Sequence, residues 1–403
     1  MPKVNHEILK WARETAGLSE SDAVDKLGIK DARGIAASDR LQAIESGGVL
    51  PTRPLLLKMS QVYRRPLVTF YLRTQPSKGE RGEDFRSLPD RQTGQEALVD
   101  ALVRDVRMRQ SVVRAVLVDE DEATARPFVG SMTVADGLEK VASSILQVTE
   151  IKIADFRGQK TPQEAFAYLR SKVESIGVFV LLIGNLGSHH TAIDVEAFRG
   201  FALSDPIAPF VIINDQDAHT AWSFTLLHEL AHVWLGKTGV SGSYSDDAVE
   251  RFCNDIAARI LLPVAELESV ALDRSTEVTA AARIVGDFAR SRHLSSTMVA
   301  YNLWRKGRLS DDVWNSLRSF FRKQWQASRD ASRKAQKDAE GPSYYIVRRH
   351  RLGGALLTFV SRSMGYGALS PTKAGRVLGV RPRSVAPLLG TTDPFGSGTR
   401  RSA

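Results

Sequence analysis

The stretch Trp222-Ser223-Phe224-Thr225-Leu226-Leu227-His228-Glu229-Leu230-Ala231-His232-Val233-Trp234-Leu235 decides how this chain is read. It is apolar on nearly every side, as a buried helix is, and Gly236 follows as a natural helix stop. Two histidines four residues apart on a helix project from one face about a turn apart, so both imidazoles can reach one metal ion. Glu229 lies about 100° round the helix, an awkward ligand but well placed to take a proton from water held at that metal. This is the H-E-x-x-H arrangement of zinc peptidases. A surface helix carrying two solvated histidines would not set them inside an apolar segment.

A catalytic zinc needs a third protein ligand and an open position. Glu250, eighteen residues beyond His232, is the candidate. The Gly/Ser-rich loop 236–245 precedes it, Ser245-Asp246-Asp247 supplies an N-cap and acidic first turn, and Asn254, Ala257 and Leu261 continue the helix face as far as Pro263. Asp246, Asp247 and Asp255 are rival ligands that read better as capping or solvated carboxylates. Cys253 reads as a small buried apolar residue rather than a soft ligand. With such a site, zinc would polarise the scissile carbonyl while Glu229 passes a proton from water to the leaving amine. His219 and Tyr244 are the nearby candidates for an oxyanion donor.

Upstream of the motif, Val178–Ile183, Ala197–Leu203 and Pro209–Ile213 are short apolar runs that read as strands. Pro162–Ile176 has proline in its first turn and reads as a helix, Thr133–Gln147 as another, and Gln92–Leu117 as a long amphipathic one. Pro76–Asp90 is polar and glycine-bearing, a linker. Before it, four or five short helices fall within about 70 residues, including Glu20–Leu27, capped by Ser19 and closed by Gly28. Beyond the motif the pattern stays helical, through a charged, Ala-rich stretch at Gln326–Glu340 and a smaller unit at Ser343–Leu389, to a tail at Gly390–Ala403. The expected fold is therefore α+β and mostly helical: a zincin-like core with a small sheet, flanked by all-helical ends. The boundaries read as 1–75, a linker with helical segment at 76–158, the metallopeptidase unit at 159–310, and a basic C-terminal domain at 311–403.

The chain has 403 residues, 43% of them apolar, and one cysteine. That composition fits folded domains and excludes a disulfide framework. No apolar run reaches membrane-spanning length and no secretory h-region opens the chain, so a cytoplasmic protein without membrane contact is expected. The net charge is +9, but residues 305–403 hold 20 basic and 6 acidic residues, so the whole excess sits at that end.

The motif block resembles the ImmA/IrrE family of zinc-dependent metallopeptidases. The likeness is carried by residues 198–203, Ala208–Asn214, Phe224–His232, and Glu250–Ala258 with Leu261-Leu262-Pro263; Cys253 stands where the family usually has alanine. It implies zinc held by His228, His232 and Glu250, with Glu229 as base. It further implies a regulator that cuts a repressor-type protein to release transcription, as in stress responses or mobile elements. An extended substrate could pair with the edge of the sheet near residues 197–213.

The N-terminal segment resembles the helix-turn-helix of phage-repressor-like (XRE-type) regulators. The matching residues are Trp11–Ser19, Ala23, Leu27-Gly28, Leu41, Ile44–Gly47 and Pro51-Thr52, although Lys30–Ser38 lengthens the turn. Its base-reading candidates are Arg40 and Gln42; a scaffold or dimerisation role is the alternative. At the other end Arg348, Arg349, Arg351, Arg381 and Arg383 are candidates for duplex or single-stranded DNA, against a merely solvated basic face. The expected partners are thus a repressor-type substrate, DNA and, for the repressor-like unit, a second copy of the chain. Two other readings stay open: a transcriptional regulator whose zinc is structural, and an antitoxin- or defence-type protein-binding partner.

Overall fold

The computed structural model describes residues 3–32, 34–76, 95–187, 191–241, 248–272, 276–337 and 343–390. The N-terminal unit holds α1 (His6–Thr15), α2 (Glu20–Leu27), α3 (Ala37–Glu45) and α4 (Arg53–Val62), closed by a 3₁₀ turn at Leu67–Tyr71. Ser19 and Asp22 form a reciprocal capping box at the start of α2, and Gly28 ends it in the left-handed region at φ 63°. Ile8, Leu9, Ala12, Leu41, Met59, Tyr63 and Phe70 fill a core of their own. At its margin Arg13 on α1 donates to both carboxylate oxygens of Glu45 on α3, at 2.8 and 2.9 Å, with both side chains buried. The fork geometry satisfies two charges that could not be buried singly.

The rest of the chain is built round one sheet. Helices α5 (Glu96–Asp119), α6 (Leu138–Thr149), α7 (Ile153–Arg157) and α8 (Pro162–Ser175) precede β1 (Phe179–Leu182), β2 (Gly200–Leu203) and β3 (Phe210–Ile213). Then come α9 (His219–Trp234), β4 (Gly239–Ser241) and α10 (Ala248–Leu261). The strand order is β1-β3-β2-β4, with β1 parallel to β3 and the other pairs antiparallel. β1, β2 and β3 are buried throughout, so they read as unbroken apolar runs rather than alternations. Val180, Leu182, Ala202, Val211 and Ile213 face α8, α9 and α10, whereas Phe179, Leu181, Phe201, Phe210 and Ile212 face the opposite way. Asn214, fully buried at the end of β3, donates to the carbonyls of Ile193 and Phe198 and so fixes the chain that enters β2.

Two expectations change here. The Gly/Ser-rich segment after α9 contains β4, which pairs Gly200 with Ser241 and Ala202 with Gly239. β2 and β3 are therefore interior strands, and no free edge lies at residues 200–213. The C-terminal unit, α15 (Tyr344–Leu352), α16 (Gly354–Gly365), α17 (Pro371–Leu378) and α18 (Val385–Leu389), also has no separate core. Its Leu352, Leu356, Phe359, Val377, Leu378 and Leu388 join Leu102, Val106 and Val113 of α5 on the second face of the sheet. A sheet buried on both faces needs two covering layers, and the residues beside the strands supply only one. Helices α11 (Val264–Glu268), α12 (Val278–Arg290), α13 (Ser296–Arg305) and α14 (Asp311–Lys337) extend the first layer, with α14 packed on α12 and α13. No described helix is long and apolar enough to cross a membrane. The expected linker at 77–90 and tail at 391–403 lie outside the described residues.

Candidate metal centre

α9 lies across β2 and β3 and packs along α10. Its buried run from Leu226 to Trp234 leaves no solvent-facing side, which explains why the amphipathic pattern is so weak there. Ala257 on α10 and Ala231 on α9 are fully buried, small residues that let helices approach closely. That packing brings three donors together. His228 Nε2 lies 3.2 Å from Glu250 Oε2, His232 Nε2 lies 3.1 Å from Glu250 Oε1, and the two Nε2 atoms are 3.1 Å apart. His228 is 4% exposed, His232 1% and Glu250 9%.

Three such donors fit a metal ion. Four donors held about 2.0 Å from a tetrahedral centre stand roughly 3.3 Å from one another, which is the spacing of this triangle. The burial and the chemistry agree, since two imidazoles and a carboxylate are the ligands of a borderline-soft divalent ion with one position left open. Burial opposes the charge on Glu250, but hydrogen bonds from His228 and His232 outweigh it and hold the carboxyl down to about 2. Burial lowers His228, while His232 is raised, its burial outweighed by Cys253, Glu250 and Glu229. A carboxylate that stays ionised is the state a ligand needs.

Two further side chains of α10 reach the histidines. Asn254 stands close enough to His228, and Cys253 to His232, to favour the charged imidazole. With Glu250 they occupy one helix face at i, i+3 and i+4. Burial pushes the Cys253 thiol up. The sequence reading placed Asn254 on the right face without a task, and missed that Cys253 lies close enough to His232 to act on its charge. The i+3 and i+4 spacing from Glu250 was the available signal.

Glu229 is fully buried beside this triangle, and its neighbour across the interface is Gly200 of β2. A Cβ on residue 200 would stand 2.7 Å from Glu229 Oε1 and 2.6 Å from Thr225 Cγ2. The absent side chain is thus the space that the carboxylate occupies. Gly200→Ala should force Glu229 aside while His228 and His232 on α9 and Glu250 on α10 keep their triangle. The expected result is full metal content with hydrolysis reduced by about 100-fold, the cost of a misplacement on the order of 1 Å. Metal analysis beside an activity assay checks it, and unchanged activity would show that Glu229 does not need this space.

The other sequence candidates fall elsewhere. His219 opens α9, about 13 Å along the helix from His228, and its Nδ1 lies 2.7 Å from Gln163 Nε2. It is therefore no oxyanion donor to this triangle. Asp255 is paired with Arg305, whereas Tyr244, Asp246 and Asp247 lie outside the described residues. Arg40 donates to the Lys30 carbonyl and Gln42 to Glu20 Oε2 at 2.7 Å, both on the exposed side of α3.

The C-terminal cations divide. Arg348 donates to Leu378 O and Gly379 O at 2.7 and 2.8 Å, and Arg349 to Leu388 O and Pro387 O at 2.5 and 3.3 Å. Arg351 pairs with Asp215 at 2.6 Å. These three serve the fold, which corrects their assignment as phosphate contacts; burial even lowers Arg348 to about 10. Arg381 and Arg383 remain exposed.

A mostly helical α+β body with a buried two-histidine, one-glutamate cluster and a second glutamate on the same motif helix has the constitution of a metallopeptidase-type centre. Residues 185–303 match the model of the peptidase family described as IrrE N-terminal-like domain (Peptidase_M78). The match takes in β2, β3, α9, β4 and α10, and so every residue of the cluster. No curated protein and no solved structure matches the chain.

Proposed function

We propose that this chain is a zinc-dependent endopeptidase that cuts a repressor-type protein, with His228, His232 and Glu250 as the metal ligands and Glu229 as general base. The observation that carries the reading is the buried triangle of donors with Glu229 at its side, inside the segment that matches a peptidase family. When bound, a zinc ion supplies Lewis-acid chemistry, polarising a carbonyl and acidifying water. The chain's own residues do the rest. Gly200 leaves room for Glu229, and Glu229 takes the proton of the attacking water and returns it to the leaving amine.

An extended substrate would add to the sheet at β4, the end strand, whose outer side pairs with no other strand among the described residues. The outer side of β1 is covered by α15 and α16, and Arg170 donates to its Val180 carbonyl. A repressor as substrate is supported by the family resemblance and by the repressor-like helical unit at the N-terminus.

The test is metal analysis of the purified chain followed by incubation with purified repressor-type proteins of the same organism. About one zinc per chain is expected, falling at least tenfold in Glu250→Ala, together with a discrete cleavage product seen on a gel. A chain that binds zinc tightly and cuts no such protein would leave the metal structural and overturn the proposal.

A further inference from the structure

The distribution of charge on the C-terminal unit points to a second site. Across residues 343–390 the sequence holds eight Lys and Arg and no Asp or Glu. Four of the eight are used inside the molecule. Arg348 and Arg349 hold the last carbonyls of α17 and α18, as cations at helix C-termini do. Arg351 and Arg362 borrow carboxylates from other elements, Asp215 and Glu122. The other four, Lys373, Arg376, Arg381 and Arg383, are exposed, and their side chains have no hydrogen-bond, ion-pair or ring partner among the described residues.

These four stand on two neighbouring elements that pack on each other. Lys373 and Arg376 stand three apart on the outer face of α17, whose inner face buries Ala374, Val377 and Leu378. The chain then turns back through Gly379, left-handed at φ 61°, into the 3₁₀ turn Pro382–Ser384 that packs on α17. The approach is close: a Cβ on Gly375 would stand 2.8 Å from Val380 O and 3.3 Å from Pro382 N. The turn that carries Arg381 and Arg383 thus lies against α17, the helix that carries Lys373 and Arg376.

We propose that this face, Lys373, Arg376, Arg381 and Arg383, binds the phosphate backbone of duplex DNA. Between Gly367 and Gly390 no large apolar side chain is exposed, so the surface lacks the apolar centre that a protein partner would require. The exposed aromatics among residues 343–390 are Tyr344 and Tyr366, neither of them on α17 or the turn after it, too few for the stacking platform of a single-strand binder. Cations without counter-charges on a helix–turn–helix-like corner are the electrostatic footprint of backbone binding. The metal cluster lies on the other side of the sheet, in the α9 layer, so DNA held by α17 leaves that side open.

The test is fluorescence anisotropy of a labelled duplex of about 20 base pairs with the full chain over a range of sodium chloride concentrations. Four phosphate contacts predict a slope of log K against log salt near about −3.6, and Arg376→Ala should flatten it by about 1. The quadruple variant K373A/R376A/R381A/R383A should keep its metal content and melting temperature and lose at least about 100-fold in affinity at low salt. Affinity unchanged in the quadruple variant, or a flat salt dependence, would overturn the proposal. So would tighter binding of poly-glutamate than of duplex, which would make the partner an acidic polypeptide, or tighter binding of a single strand.

Discussion

Glu229→Gln should abolish most of the hydrolysis and none of the metal binding. Glutamine has the shape of glutamate, so it fits the fully buried position against Gly200 without disturbing the α9–β2 contact. It cannot accept a proton from water, and positioned general base catalysis is worth about 10² to 10⁴ in rate. His228, His232 and Glu250 keep their triangle, because none of their donor atoms belongs to residue 229. The measurement is the initial rate of repressor cleavage together with zinc per chain: a rate reduced by at least about 100-fold at unchanged zinc. A variant that cuts within about threefold of the parent would remove Glu229 from the chemistry. Loss of zinc together with rate would show instead that residue 229 helps to hold the metal.

The centre was more legible in the sequence than the body that carries it. H-E-x-x-H in an apolar run has a single helical reading, and an acidic residue at the head of the next helix is the ligand that helix packing can deliver. Hence His228, Glu229, His232 and Glu250 all stand together in the structure. Strands β1 to β3 announced themselves as short apolar runs between turn residues. β4 did not, because Gly239-Val240-Ser241 becomes a strand through its pairing with β2 and not through its own propensity. The C-terminal unit was misplaced for a related reason. Nothing local in Leu352, Leu356 and Phe359 tells that their core partners are Phe179 and Leu181, roughly 170 residues earlier. Clustered arginines misled as well. Arg348-Arg349-Arg351 looks like a phosphate site, yet two of the three are spent on backbone carbonyls, acceptors that leave no mark in a sequence. The dispersed Lys373 and Arg376 have no side-chain partner among the described residues.

The second large effect is expected at the joint between this unit and the body that carries the metal cluster, in Arg170→Met. Arg170 and Glu174, both on α8, are buried, with Nε 3.1 Å from Oε1. Arg170 also donates to His350 O at 2.5 Å and Arg351 O at 3.2 Å, at the C-terminal end of α15. Glu174 accepts from the amides of Gly354 and Ala355, both at 3.1 Å, at the start of α16. Each charge thus meets the helix end of opposite sign, and residue 353 is a left-handed glycine at φ 77° because a Cβ there would strike both side chains. Removing the guanidinium leaves a buried carboxylate without its cation, a change that costs about 3–5 kcal/mol.

The pH dependence follows in sign. Burial raises the Glu174 carboxyl even with Arg170 beside it, so the folded chain binds this proton more tightly than the unfolded chain does. Stability from this group is present below its unfolded value and is lost as pH rises through the folded one. Without Arg170 the folded value climbs further, and the deficit of the variant should be smaller near about pH 5 than near about pH 8. Urea unfolding at both values tests this. A deficit independent of pH would mean that lost packing, not the stranded charge, is the cost. Arg170→Met/Glu174→Gln should recover part of the loss, because the neutral amide has no charge to strand and its oxygen still accepts from α16.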